Sequence, residues 1–203
     1  MTSRIIGFEG PSVAGKTTLI QRLRSRLQLR GIPSIHIEEF TTLAGGYQKF
    51  PPLFCQDRKE ALRAARFFLN IELDRKRQIE NWMATVRDSA VSFALVDRLI
   101  FTCMAIRQAV RDDVGYEAYL AAVRALEIII PDHTFFVELR CPEVELNRRM
   151  QGRILFEGWQ TVYDPPGYLE LLRKIDASIL RLNLHVTNPD DVEAVEKLIL
   201  SEP

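Results

Sequence analysis

The chain is poor in cysteine, has no excess of charge of either sign and carries no long apolar run. Each of these lacks closes off a class of function. Cys55, Cys103 and Cys141 are the only cysteines in 203 residues, stand far apart and show no Cys-x-x-Cys spacing, so they read as reduced, structural thiols of a reducing compartment. Lys plus Arg and Asp plus Glu balance at 27 each, so no global basic field points to nucleic acid and no acidic tail points to a partner. No apolar stretch is long enough for a transmembrane helix, and no membrane partner is expected. His36, His133 and His185 lie in or beside expected strands without paired metal spacing and read as structural. There is no internal repeat and no low-complexity tract. The first strand pattern begins within a few residues of Met1, so no signal peptide and a cytoplasmic location are expected. A content of 47% hydrophobic and 27% charged residues then fits one globular domain over residues 1–203.

Against that background one stretch organises the rest. Gly10-Pro11-Ser12-Val13-Ala14-Gly15-Lys16-Thr17 has two glycines bracketing four residues, then Lys and Thr, which is the spacing of a phosphate-binding P-loop. The apolar run Ile5-Ile6-Gly7-Phe8 precedes it, and the helical pattern Leu19, Ile20, Leu23, Leu27 follows. That is the strand–loop–helix setting the motif requires. Consecutive N–H groups in such a turn form a concave anion site, and the next helix adds its partial positive charge. Gly10, Ser12, Val13, Ala14, Gly15, Lys16, Thr17 and Thr18 are therefore the expected ATP-binding residues. Lys16 would reach the β- and γ-phosphates, and the Thr17 hydroxyl would ligate Mg²⁺.

Strands are expected at about Arg4–Phe8, Ser34–Glu38, Ser92–Val96, Thr134–Leu139 and Leu184–Val186. Helical periodicity separates them, at about Lys16–Arg30, Asp57–Val86, Ile100–Val110 and Tyr116–Ile128, then from Pro142, at about Tyr168–Leu182 and after Asn188. This alternation predicts an α/β fold: a five-stranded parallel sheet with helices on both faces and right-handed crossovers. Ligands in such sheets bind at the carboxyl ends of the strands. Gly10–Thr17, Glu38-Glu39, Asp97-Arg98 and the Asn188 turn all fall at those ends. Periodicity dissolves over Phe40–Gln56 and again over Gly152–Gly167, as expected of functional or mobile loops.

Asp97 ends a continuous apolar run, where a carboxylate linked to Mg²⁺ belongs. Arg98 follows it, and a planar guanidinium there suits recognition of a phosphate or carboxylate on the substrate. Phe67, Phe68, Trp82 and Phe101 read mainly as core; Phe68 is the one on the helix expected to line an acceptor pocket.

These residues resemble the thymidylate kinases. Phe8-Glu9-Gly10 running into Gly15-Lys16-Thr17-Thr18 is similar to their start, and Val96-Asp97-Arg98-Leu99-Ile100-Phe101-Thr102 to their Asp-Arg-Tyr segment. Asp74-Arg75 matches an Asp-Arg pair in the long helix, and Pro131-Asp132-His133-Thr134 with Pro142-Glu143-Val144 resembles the run into and out of their fourth strand. The deoxynucleoside kinases are similar as well. The resemblance implies a P-loop fold of the nucleoside monophosphate kinase type, ATP as donor, Mg²⁺, and an acceptor held by Arg98 and Arg75. It implies an Arg-bearing lid over about 148–167, with Arg149 and Arg153 ahead of Arg148 as catalytic groups. It aligns Glu39 with a strand-end glutamate that takes the acceptor hydroxyl proton in the deoxynucleoside kinases, with Glu38 as its rival. A homodimer is expected by resemblance only. Three departures lie on the acceptor side: Ser12 where an acidic residue is usual, Leu99 for Tyr, and Glu39-Phe40-Thr41 for Glu-Pro-Gly.

The expected reaction is transfer of the γ-phosphoryl group of ATP to a small acceptor, first a nucleoside monophosphate such as dTMP. A nucleoside or another hydroxylated metabolite is the runner-up. A GTPase switch needs Asn-Lys-x-Asp and Asp-x-x-Gly, whereas the chain has Asn188-Pro189-Asp190-Asp191 and Asp97-Arg98-Leu99-Ile100. A binding module without chemistry would take ATP but not respond to any acceptor.

Overall fold

Apolar residues alternate in the first strand, and the two faces they define build two cores. β1 (Thr2–Glu9) sends Ile6 and Phe8 to one side and Ile5 to the other. β3 (Val91–Asp97) does the same, with Phe93 and Leu95 on the first side and Ala94 and Val96 on the second. α1 (Lys16–Leu29) covers the first face with Leu19, Ile20, Leu23 and Leu27, joined by Val195 and Ile199 of α7 (Val192–Ser201). α3 (Arg58–Thr85), α4 (Ile100–Ala109) and α5 (Asp113–Ala125) cover the second. This description comes from a computed structural model and holds for residues 2–125, 134–151, 167, 170–172, 174, 184–187 and 191–201.

With β2 (Ser34–Ile37), β4 (Thr134–Leu139) and β5 (Leu184–Thr187), the strands run in the order β2-β3-β1-β4-β5. Every neighbouring pair is parallel. The register brings Phe8 beside Asp97 and Ile37 beside Val96. The loop after β1, the pair Glu38-Glu39 and the pair Asp97-Arg98 therefore emerge at one edge, as expected. The Asn188 turn, the segment Pro131-Asp132-His133 and most of the helix expected over 168–182 lie outside the described residues. Among the described residues no helix is long and apolar enough to cross a membrane.

Two expectations change. The 40–56 segment is not without structure: it holds the one-turn helix α2 (Phe40–Leu43) and a 3₁₀ turn, Tyr47–Lys49. Elements this short give no periodicity to detect. The helix expected from Tyr116 begins at Asp113, because the Asp112 carboxylate accepts the Gly115 N–H at 2.9 Å and caps it.

Candidate active site

The loop between β1 and α1 is shaped by positions where a side chain cannot fit or is strained. Gly10 sits at φ 137°, and a Cβ there would lie 2.5 Å from the Leu139 carbonyl oxygen. Gly15, at φ 98°, opens α1 from the left-handed region. Between them Val13 adopts φ 58°, which a β-branched residue takes only under constraint. The Lys16 ammonium is buried and donates to the carbonyls of Gly10 at 3.1 Å and Pro11 at 2.9 Å. The Lys side chain thus folds back over the loop that carries it. Ala14 is fully buried, which ties the loop to the core on the α1 side.

Beside the loop, the Thr17 hydroxyl donates to Asp97 Oδ2 at 2.5 Å. The other carboxylate oxygen, Asp97 Oδ1, is buried with no hydrogen-bond partner. A buried carboxylate oxygen left bare is costly, and a hydroxyl and a carboxylate side by side are hard oxygen donors. This pair fits a divalent cation.

Arg98 follows at φ 59°, a second strained position. Its N–H donates to the Phe8 carbonyl at 3.1 Å, and its guanidinium reaches Ser12 Oγ at 3.2 Å and Glu39 Oε2 at 3.7 Å. Ser12, Glu39 and Arg98 line the loop end of a cavity with roughly 670 Å³ of empty space out to its open mouth. Its walls are mainly apolar and aromatic. Phe40, Tyr47 and Phe50 come from the 40–56 segment, and Phe68 comes from α3. Phe68 meets Phe40, Phe50 and Phe67 edge-to-face, with ring centroids 5.8, 4.9 and 5.2 Å away. Phe101 is fully buried, and Phe67 and Trp82 pack against the core, as expected of them.

The structure separates several sequence candidates. Glu39 lines the cavity, whereas Glu38 is exposed and does not. Arg149, on α6 (Glu143–Gln151), donates to the Ala14 carbonyl at 3.0 Å and the Val13 carbonyl at 3.4 Å. Arg148 instead points to solvent, where its guanidinium takes both oxygens of Glu145 at 2.6 and 2.7 Å. Arg153 lies outside the described residues, as does most of the 148–167 lid.

Arg75 is a correction. It is 1% exposed and does not line the cavity. Its guanidinium donates to the carbonyls of Asp97 and Arg98, pairs with Glu72 at 2.9 Å and lies 4.5 Å from the Phe40 ring centre. Two carbonyls at the strained end of β3 need donors there, and a buried guanidinium needs acceptors. Arg75 therefore holds up the site from beneath. Leu99 is a second correction: it is 4% exposed, packs against Gly7 and belongs to the core rather than to the acceptor side.

Sequence reading assigned no role to Glu9, and its signal was available: a carboxylate closing an apolar strand. Glu9 is buried, and it accepts the Leu99 N–H at 2.8 Å and the Thr102 hydroxyl at 2.5 Å. It caps the start of α4 and so fixes where Arg98 sits. Burial pushes its carboxyl above the ordinary value of 4.5, against the opposing pull of Arg98. The folded protein thus holds this proton more tightly than the unfolded chain. The contribution of Glu9 to stability is full below pH 4.5 and is lost as pH rises through the raised value. Glu9→Gln keeps the acceptor for Leu99, and the Thr102 hydroxyl can turn to accept. Its melting temperature should therefore fall less than the parent's over that pH interval. Glu9→Ala leaves two donors unpaired and should cost about 1–3 kcal/mol by denaturant titration.

No protein-family model matches the chain. Among curated proteins, the thymidylate kinase of Leptospira borgpetersenii serovar Hardjo-bovis is 29% identical over 160 residues, covering 76% of this chain and 72% of its own length. The thymidylate kinases of Leptospira interrogans serovars copenhageni and Lai are each 30% identical over 155 residues, covering 74% of this chain and 72% of theirs.

Proposed function

The chain belongs to the thymidylate kinase family, and from that premise we propose that it is an ATP-dependent phosphotransferase acting on a nucleoside monophosphate such as dTMP. The observation that carries this is the shared edge. Ser12 of the P-loop and the Arg98 guanidinium border one aromatic cavity, and the Thr17–Asp97 pair stands directly behind them, Asp97 being the residue before Arg98 and Thr17 the residue that ends the loop motif. We take residues 1–203 as one kinase domain whose 148–167 segment is the lid.

In this proposal the loop amides and Lys16 hold the donor's phosphates, and Thr17 and Asp97 would hold Mg²⁺. The ion supplies neutralisation of phosphate charge when bound. Lys16 leaves the Gly10 and Pro11 carbonyls for the phosphates, because a charge-assisted bond to an anion is stronger than one to a neutral carbonyl. Arg98 orients the acceptor against the loop, and Glu39, 3.7 Å from it, stands where an acceptor proton could be taken. Arg149 is at the loop already, on the side from which a lid arginine would reach phosphoryl oxygens. The aromatic walls suit a planar ring.

A second reading, an unphosphorylated hydroxyl acceptor, is favoured by one observation. With Arg75 turned onto backbone carbonyls, the loop end of the cavity presents Arg98 opposite the carboxylate of Glu39 rather than two guanidinium groups. A dianionic acceptor meets less compensation there. An ADP-release assay across deoxynucleoside monophosphates, deoxynucleosides and other hydroxylated metabolites tests both. Stimulation by a monophosphate alone supports the first reading, stimulation by hydroxyl compounds alone supports the second, and stimulation by neither overturns the kinase assignment.

For the metal pair, Asp97→Asn should raise the Mg²⁺ concentration for half-maximal activity about tenfold while the Thr17 contact survives. A magnesium titration at saturating ATP checks this. An unchanged midpoint would remove Asp97 from the metal site.

A further inference from the structure

We infer that a second cavity, separate from the acceptor cavity, is a binding site for a flat organic anion, held by Arg58, Arg111 and Phe54. The inference stands apart from the kinase reading, because none of these residues belongs to the donor or acceptor sites.

The cavity lies where residues 53–56, the start of α3 and the turn from α4 into α5 meet. It has roughly 700 Å³ of empty space out to its open mouth, the size class of small-molecule sites. Leu53, Ala61, Val110 and Val114 supply apolar lining. Among the described residues only Leu53 lines both cavities. Its carbonyl accepts from Arg107 at 2.6 Å, and Arg107 pairs with Asp112 at 3.4 Å, so a polar clasp stands between the two spaces.

Three residues at this cavity go against their local preference. Arg111 closes α4 in a two-bond cap: its N–H donates to the Gln108 carbonyl at 3.1 Å, and the Asp112 N–H donates to the Arg107 carbonyl at 2.8 Å. Glycine usually takes the left-handed position of such a cap, yet Arg111 holds it at φ 58°. Arg58 is the first residue of α3, where the positive end of the helix disfavours a cation. Phe54 is a large apolar side chain left 62% exposed. Neither guanidinium has a hydrogen bond or ion pair among the described residues. Local rules broken together at one cavity mark a place kept for a ligand.

The charges decide the sign of that ligand. Three carboxylates also line the cavity, but each is answered within the fold. Asp57 accepts the Glu60 N–H at 2.8 Å, and Asp112 accepts the Gly115 N–H at 2.9 Å besides pairing with Arg107. Asp113 sits in the first turn of α5, whose positive end balances it. Arg58 and Arg111 are the charges left unanswered. A guanidinium takes phosphate, sulfonate or carboxylate oxygens in a planar fork, and Phe54 offers a ring face to a flat apolar body. A planar ring system carrying one anionic group satisfies all three.

The probe is 1-naphthyl phosphate, titrated by calorimetry into the full chain with ADP and Mg²⁺ present to occupy the P-loop. Inorganic phosphate and 1-naphthol carry its two halves separately. The parent should bind the probe at least tenfold more tightly than either half. Arg111→Gly and Arg58→Gln should each weaken it about tenfold, the worth of one charge-assisted contact. Arg98→Ala, in the acceptor cavity, should leave this site intact. Arg111→Gly should also raise the melting temperature of the ligand-free protein by about 2–4 °C, because glycine relaxes the left-handed cap. A merely structural arginine would lower it on removal, so a fall in melting temperature overturns the role of Arg111. Binding that is lost in Arg98→Ala and kept in Arg111→Gly puts the probe in the acceptor cavity and overturns the second site. No binding, or binding no tighter than that of 1-naphthol, overturns it as well. ADP binding is measured in its own titration, so failure of the kinase reading is seen separately.

Discussion

Lys16→Ala should abolish turnover, lowering kcat by about 10³-fold or more, while the protein stays folded. In the free protein the Lys16 ammonium is held by the Gly10 and Pro11 carbonyls, its own loop neighbours. These are local contacts that close the loop on itself and join no two elements. Their loss should cost stability of about 1 kcal/mol. Charge on the transferred group, by contrast, is spread over its oxygens in the transition state, and a buried ammonium there acts in a low dielectric. The same substitution is therefore small for the fold and large for the reaction. Single-turnover rates at saturating ATP, with circular dichroism and thermal melts alongside, separate the two. A variant retaining more than a tenth of the parental rate would mean that the P-loop lysine does not act on the transferred group.

The architecture was legible in the sequence because its signals are periodic and local. Continuous apolar strands, the helical stripe Leu19, Ile20, Leu23, Leu27 and the loop spacing each fall within a few neighbouring residues. The convergence of Gly10–Thr17, Glu39 and Asp97-Arg98 followed from strand order alone, since parallel strands put all their carboxyl ends on one edge. What could not be read depends on where long side chains turn. Arg75 sits on α3 with a charged residue's prior for the surface, yet the two carbonyls at the end of β3 draw it inside. The choice between Glu38 and Glu39 is a matter of which way the chain leaves β2. It turns at once into α2, sending Glu39 to the cavity and leaving Glu38 outside.

Arg98→Ala should lower kcat/KM for the acceptor by about 10²–10³-fold and leave ATP affinity unchanged. The residue is 8% exposed, and its side chain spans from Ser12 on the loop to Glu39 on the far wall. Its backbone already sits at φ 59°, where alanine has no easier time than arginine, so the strained turn at the end of β3 is retained. How the loss divides tells the two acceptor classes apart. A phosphomonoester held by Arg98 in ground and transition state alike loses binding, so KM rises with kcat little changed. A hydroxyl acceptor deprotonated by Glu39 needs Arg98 to orient that carboxylate, so kcat falls with KM little changed. Arg98→Lys sharpens the distinction. An ammonium restores a point charge but not the planar two-pronged contact, so it recovers part of a phosphate's KM and little of a lost orientation. Acceptor kinetics unchanged in both variants would take Arg98 out of the site, and with it the reading of this cavity as the place where the acceptor binds.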